Sequence, residues 1–185
     1  MPPNYKVIKD TREQDGWFFS EYDKCDGMEI DTLHTGDYTL MGFEEVVCVE
    51  RKASVSEIAT NLGKKKKAFY SEIERMKDFS FRFLLLEFSA SDVINYPISL
   101  LSEEDQELYS RYEAGEIDLP NFKRFKIAEQ TRITGKYLIK SLMEISIKHD
   151  INVMFCDNKQ NAFLICNSIF KRLNELFHKG GKNEQ

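Results

Sequence analysis

Apolar positions along this chain alternate between a period of two and a period near 3.6, and the switches mark its elements. "YKVIKDTRE" has the alternation of a short strand ending at Asp10, followed by an irregular or helical stretch to about Gly27. "EIDTLHTGDYTLMGFEEVVCVERK" then reads as consecutive strands, a β-meander with Gly36 and Gly42 as turn or bulge points. The pattern changes at once in "SVSEIATNLG": Ser54 and Glu57 have capping-box spacing, Ile58 and Leu62 are one helical turn apart, and Gly63 is a stop signal. A second helix follows, with Phe69, Ile73 and Met76 on one face, and "FRFLLLEF" is a strand too continuously apolar for an exposed sheet. Leu138, Leu142 and Ile145 stripe another helix, "INVMFC" is a further strand, and Ala162, Cys166, Ile169, Phe170, Leu173 and Phe177 run down a last helix. This order predicts an α/β fold, a mixed central sheet covered by helices on both faces.

Between about Ile98 and Thr134 the pattern loosens. "SEEDQELYSRYEAGEIDLPNF" is consistent with one charged helix from Ser102, a turn at Gly115 and an extended piece at Pro120. We read residues 98–134 as an insertion in one domain spanning 1–185, since no repeat or Gly/Ser linker marks a second domain.

Composition narrows the setting more than the chemistry. With 185 residues, 42% of them hydrophobic and 31% charged, the chain has the makings of a single globular core, and its apolar runs are too short to span a bilayer. "MPPNYKVIKD" lacks an apolar signal core, so an intracellular location is expected, with no membrane partner. The four cysteines, Cys25, Cys48, Cys156 and Cys166, have no CxxC spacing and read as buried reduced thiols rather than zinc ligands. The net charge of -5 argues weakly against a nonspecific nucleic-acid binder, but the cations are clustered. Lys64, Lys65, Lys66 and Lys67 form one run, and "NFKRFK" sets Lys123 and Arg124 among phenylalanines.

The candidate chemistry lies at the end of the "VVCVERK" strand. Over residues 45–52, alternation puts Val46, Cys48, Glu50 and Lys52 on one face and Val47, Val49 and Arg51 on the other. Glu50 and Lys52 therefore point the same way, at a strand end beside a helix start that offers open access. An antiparallel partner carrying Asp37 brings a second carboxylate within reach. Two buried carboxylates repel unless one keeps its proton or a cation is shared. Oxygen-only ligands select Mg²⁺ or Mn²⁺, and such a site suits metal-assisted phosphodiester hydrolysis with Lys52 on the attacking water or the phosphate. Taken alone, D…ExK also describes a solvated edge pair.

"IKDTREQ", "HTGDYTL", "VVCVERKASVSEI" and "LLLEF", in this order and spacing, resemble the nuclease domain of the XPF family of structure-selective DNA endonucleases. The resemblance covers most of the chain. It implies a restriction-endonuclease-like core and metal-dependent cutting of DNA at branched, flap or fork structures. It also implies Asp37 and Glu50 as metal ligands, Lys52 as catalytic lysine and Asp10 as a further acidic, metal-binding member. Arg51 would be a supporting residue, with Arg12 and Glu13 completing D-x-R-E and Arg12 contacting phosphate.

Two departures qualify it. The family's aspartate after E-R-K is Ser56 here, with Glu57 beside it, a residue that helix capping already explains. The resemblance would also lead one to look for a tandem helix-hairpin-helix module after this domain, and the sequence is expected to do without one. Affinity for DNA then rests on the lysine run and insertion, on a homodimer, or on a DNA-targeting partner protein; the alternative function is a catalytically weak or inactive module that binds DNA or a partner subunit. The lysine run, beside the proposed site, is expected to contact phosphates. Phe122 and Phe125 read as core residues ahead of base-stacking ones, and Trp17, Phe18 and Phe19 read as core or a dimer patch ahead of a base-stacking platform. His34, a turn histidine, is weak evidence for general-base work.

Overall fold

The computed structural model of the protein describes residues 2–118, 125 and 132–179. Seven strands form one sheet in the order β2-β3-β1-β4-β5-β6-β7. They are β1 (Tyr5–Asp10), β2 (Glu21–Tyr22), β3 (Cys25–Asp31), β4 (Tyr38–Leu40), β5 (Val47–Lys52), β6 (Phe81–Leu86) and β7 (Asn152–Phe155). Strands β1, β3, β5, β6 and β7 run one way; β2 and β4 oppose them.

This pairing corrects the expected meander. β3 pairs in parallel with β1, and β1 lies between β3 and β4, so of the three strands in the expected meander, β3, β4 and β5, β4 and β5 keep the sequential antiparallel relation. The strand signals are local and were legible; the choice of partner is a long-range one that alternation does not encode.

Helices cover both faces. On one lie α1 (Val55–Leu62), α2 (Lys66–Met76), α3 (Ala90–Ile94) and α5 (Gly135–His149), whose apolar stripes meet Cys48, Leu84 and Leu86. On the other, α6 (Lys159–Lys179) packs Ala162, Cys166, Phe170 and Leu173 against Val7, Val47, Val49 and Leu85. Leu85 thus faces the opposite way from its two neighbours, which is why β6 needs an unbroken apolar run. Each such leucine, fully buried, contributes about 1.5–3 kcal/mol.

Ser54 caps α1, its Oγ accepting from the Glu57 N–H at 3.2 Å, and the Glu57 Oε2 accepts in return from the Ala53 N–H at 2.9 Å. Within residues 98–134, α4 (Glu103–Glu113) starts at Ser102 as expected, with Glu103, Glu104 and Asp105 in its first turn, where acidic side chains complement the helix dipole. The cysteines are buried and free. Among the described residues no helix is long and apolar enough to cross a membrane.

Candidate active site

The carboxyl ends of the parallel strands share one edge of the sheet, and β4 begins there. Gly36 makes this start feasible. Its φ is +83°, and an added Cβ would lie 2.6 Å from Cys48 Sγ and 3.1 Å from the Val49 carbonyl oxygen. The close approach lets the Asp37 N–H donate to the Val49 carbonyl at 2.8 Å, and Tyr38 pairs with Val49. Extending this antiparallel register sets Asp37 opposite Glu50. The Asp37 Oδ2 accepts the Arg51 backbone N–H at 2.7 Å, so strand β5 itself orients the carboxylate.

Glu50 and Lys52 share a face, but they do not stand in an open cleft. They are only 2% and 6% exposed, beneath α1 and α2. Lys52 Nζ is ion-paired with Glu50, lies 3.6 Å from Glu57 Oε1 and sits 5.6 Å from the centroid of the Phe69 ring. The other oxygen, Glu50 Oε2, is buried without a hydrogen-bond partner.

Burial pushes the Asp37 carboxyl up to about 7, against the pull of Lys52 and of the Arg51 N–H. Burial and then the Asp37 charge raise Glu50 well above the ordinary carboxylate range, with Lys52 opposing. For Lys52, burial favours the neutral amine, but Glu50 and Asp37 outweigh it and hold the ammonium charged. A lysine so held is a hydrogen-bond donor and electrophile at neutral pH, not a base. Two carboxylates, one with an orphaned buried oxygen, balanced by a single lysine, form a site short of positive charge. Oxygen donors of this kind fit Mg²⁺ or Mn²⁺. Among the described residues no three His, Cys, Asp or Glu side chains are grouped so as to hold a metal ion, so such an ion would draw its remaining ligands from water, backbone or substrate.

Asp10, expected among the ligands, is engaged otherwise. Its Oδ1 accepts from the Arg12 N–H and Nε at 2.8 and 2.7 Å, and its Oδ2 from Arg12 Nη2 and the Leu33 N–H at 3.0 and 2.8 Å. These bonds outweigh burial and lower its pKa. Four donors occupy both oxygens, so in this structure Asp10 ties the end of β1 to residue 33 and aims Arg12, whose side chain is 67% exposed. Arg51 points to the α6 face. Its guanidinium is bidentate to Glu87, both at 2.7 Å, with Glu13 at 3.4 Å and the Trp17 ring at 5.9 Å. The Trp17 indole N–H also donates to Glu87, at 2.7 Å.

Lys64, Lys65, Lys66 and Lys67 are exposed at the turn into α2. Lys66 leans toward α5, 3.3 Å from the Tyr137 hydroxyl, whereas Lys64, Lys65 and Lys67 line a hollow with Ala68 and Ser71. Phe122, Lys123 and Arg124 lie outside the described residues; Phe125 is buried. Trp17 and Phe19 are core, Phe18 is exposed, and so are His34 and Ser56. Sequence reasoning gave no role to Trp17 in this network and passed over the Glu in "LLLEF". For Glu87 the signal was a carboxylate directly after an apolar strand.

The ERCC4 domain matches residues 9–168, most of the chain. The chain belongs to the ERCC4 domain family. Two solved structures share its fold: XPF from Aeropyrum pernix, with a TM-score of 0.54 and 15% identity over 94% of this chain and 69% of that one, and XPF from Aeropyrum pernix in complex with DNA, again 0.54 and 15%, over 95% and 66%. No curated protein matches. As an ERCC4 domain the chain is an XPF-family nuclease domain with the restriction-endonuclease-like α/β fold, a nuclease-type DNA-processing unit.

Proposed function

We propose that this ERCC4 domain is a Mg²⁺- or Mn²⁺-dependent endonuclease that hydrolyses phosphodiester bonds in branched, flap or fork DNA. The observation that carries the reading is the trio of Asp37, Glu50 and charged Lys52 at one strand end, with Glu50 Oε2 buried and unpaired. Asp37 and Glu50 would hold the cation, which supplies an activated water and screens the charge that develops on the phosphate. Lys52 donates to that water or to a phosphate oxygen. Arg51 keeps Asp37 in place through its N–H, and Asp10 presents Arg12 to a neighbouring phosphate. Lys64, Lys65 and Lys67, with Lys123 and Arg124, position the backbone without reading sequence. A homodimer or a DNA-targeting partner protein would add affinity, and the activity places the protein at DNA inside a cell.

The exposed Ser56, which brings no charge to the site, favours a second reading, a weakened or inactive module that binds DNA or a partner subunit. Labelled flap, fork, junction and linear DNA incubated with Mn²⁺ separates the two. Cleavage that disappears in Glu50→Gln supports the enzyme; binding without cleavage supports the module; cleavage equal to the parent in Glu50→Gln removes the proposed site.

A further inference from the structure

Glu72 sits on α2 between two anchors of that helix to the site. Residues three apart on a helix lie about 60° around from one another. Phe69, one step before Glu72, packs its ring under the Lys52 ammonium at 5.6 Å. Arg75, one step after, donates its Nε–H to Thr35 Oγ1 at 3.2 Å, two residues before Asp37. Glu72 therefore lies on the same face of α2 as these two anchors, the face turned to Lys52 and to the start of β4. Its charge acts on Asp37 and Glu50 and on the Arg12 guanidinium.

Glu72 is half-buried, and among the described residues its carboxylate makes no hydrogen bond or ion pair. Its helix neighbour Glu74 differs: it pairs with Lys77 and lies 3.4 Å from His149. An unpaired carboxylate whose charge bears on Asp37 and on Glu50, with its orphaned buried Oε2, adds repulsion beside the cations Lys52, Arg12 and Arg75, which a bound metal ion would relieve. The three are not grouped tightly enough to ligate one ion together. Resting on the metal-nuclease reading, we propose that Glu72 is a third carboxylate of the cation site, acting on the water shell of the bound ion rather than as a direct ligand.

The test is Mn²⁺ binding by the full chain without DNA, at pH 8, followed by titration calorimetry and by the electron paramagnetic resonance signal of free Mn²⁺. Removing one carboxylate from the water shell of a divalent ion is expected to weaken binding about tenfold in Glu72→Gln. Glu74→Gln should bind as the parent does. Glu72→Ala repeats the measurement with the side chain truncated, and a melting temperature without metal no lower than that of the parent shows that α2 is intact. Parent-like Mn²⁺ affinity in both Glu72 variants, alongside loss in Glu50→Gln, overturns the role of Glu72 and leaves the nuclease reading standing. Absence of Mn²⁺ binding by the parent overturns both.

Discussion

Replacing Asp37 with asparagine should stabilise the metal-free protein, and only where the carboxylate is ionised. The side chain is nearly isosteric, and its amide oxygen can still accept the Arg51 N–H now donated at 2.7 Å to Oδ2. Folding raises the Asp37 carboxyl from 3.8 to about 7. The folded state therefore keeps a proton that the unfolded chain has released. Stability from this group is complete below the unfolded value, is lost between about pH 4 and 7, and stays lost above. The full gap corresponds to about 4 kcal/mol; with Asp37 only partly buried, about 2 kcal/mol is expected after solvent screening. For a domain of this size that is about 4–8 °C in melting temperature. Urea unfolding of parent and Asp37→Asn, without metal, at pH 4 and pH 8 measures it together with the relief of Glu50, whose carboxyl the Asp37 charge also raises; titrating groups that Asp37 does not act on cancel in the difference. The advantage of the variant should grow by about 2 kcal/mol between the two pH values and level off above 7. Adding Mn²⁺ at pH 8 should stabilise the parent and leave the variant nearly unchanged. A difference that does not depend on pH, or a variant less stable at pH 8, would refute the account of burial and like charge.

Other perturbations probe the supports of the site. Glu87→Gln removes the partner of a buried guanidinium and should destabilise the fold by about 3–5 kcal/mol, read from urea unfolding, because Arg51 keeps its charge where water cannot reach it. In Gly36→Ala the new methyl meets Cys48 Sγ and the Val49 carbonyl at a positive φ; a loss above about 1 kcal/mol, from strain alone, should accompany weaker Mn²⁺ binding as Asp37 shifts. Lys52→Met should lower the cleavage rate by about 100-fold or more while Mn²⁺ binding persists, since it takes away a donor aimed at developing charge and no ligand. Ser56→Asp should raise cleavage if the serine marks a weakened enzyme, and unchanged activity would show that Glu57 and Glu72 already suffice.

Local pattern was enough for much of this molecule. The strand signals at residues 47–52 and 81–86, the helix stripes of Phe69, Ile73 and Met76 or of Leu138, Leu142 and Ile145, and the Ser54 cap all depend on residues a few positions apart, so periodicity carries them. The ordered D-x-R-E, G-D-Y and E-R-K motifs pointed to the family for the same reason, as short strings at strand ends. What alternation could say of the site was that Glu50 and Lys52 share a face. Only the tertiary structure decided the rest. It put β1 between β3 and β4, because strand partners are chosen by long-range pairing. Asp10 became a tie for Arg12 and residue 33 once a loop distant in sequence brought an N–H to it. Glu87 and Trp17 closed on Arg51 across 36 and 34 residues of chain, and α2 came to the site through Phe69 on Lys52 and Arg75 on Thr35. Burial did the remainder: Glu50 and Lys52 are ordinary charges in the sequence, and the helices packed over them turn the pair, with Asp37, into a site with two carboxylates to one ammonium.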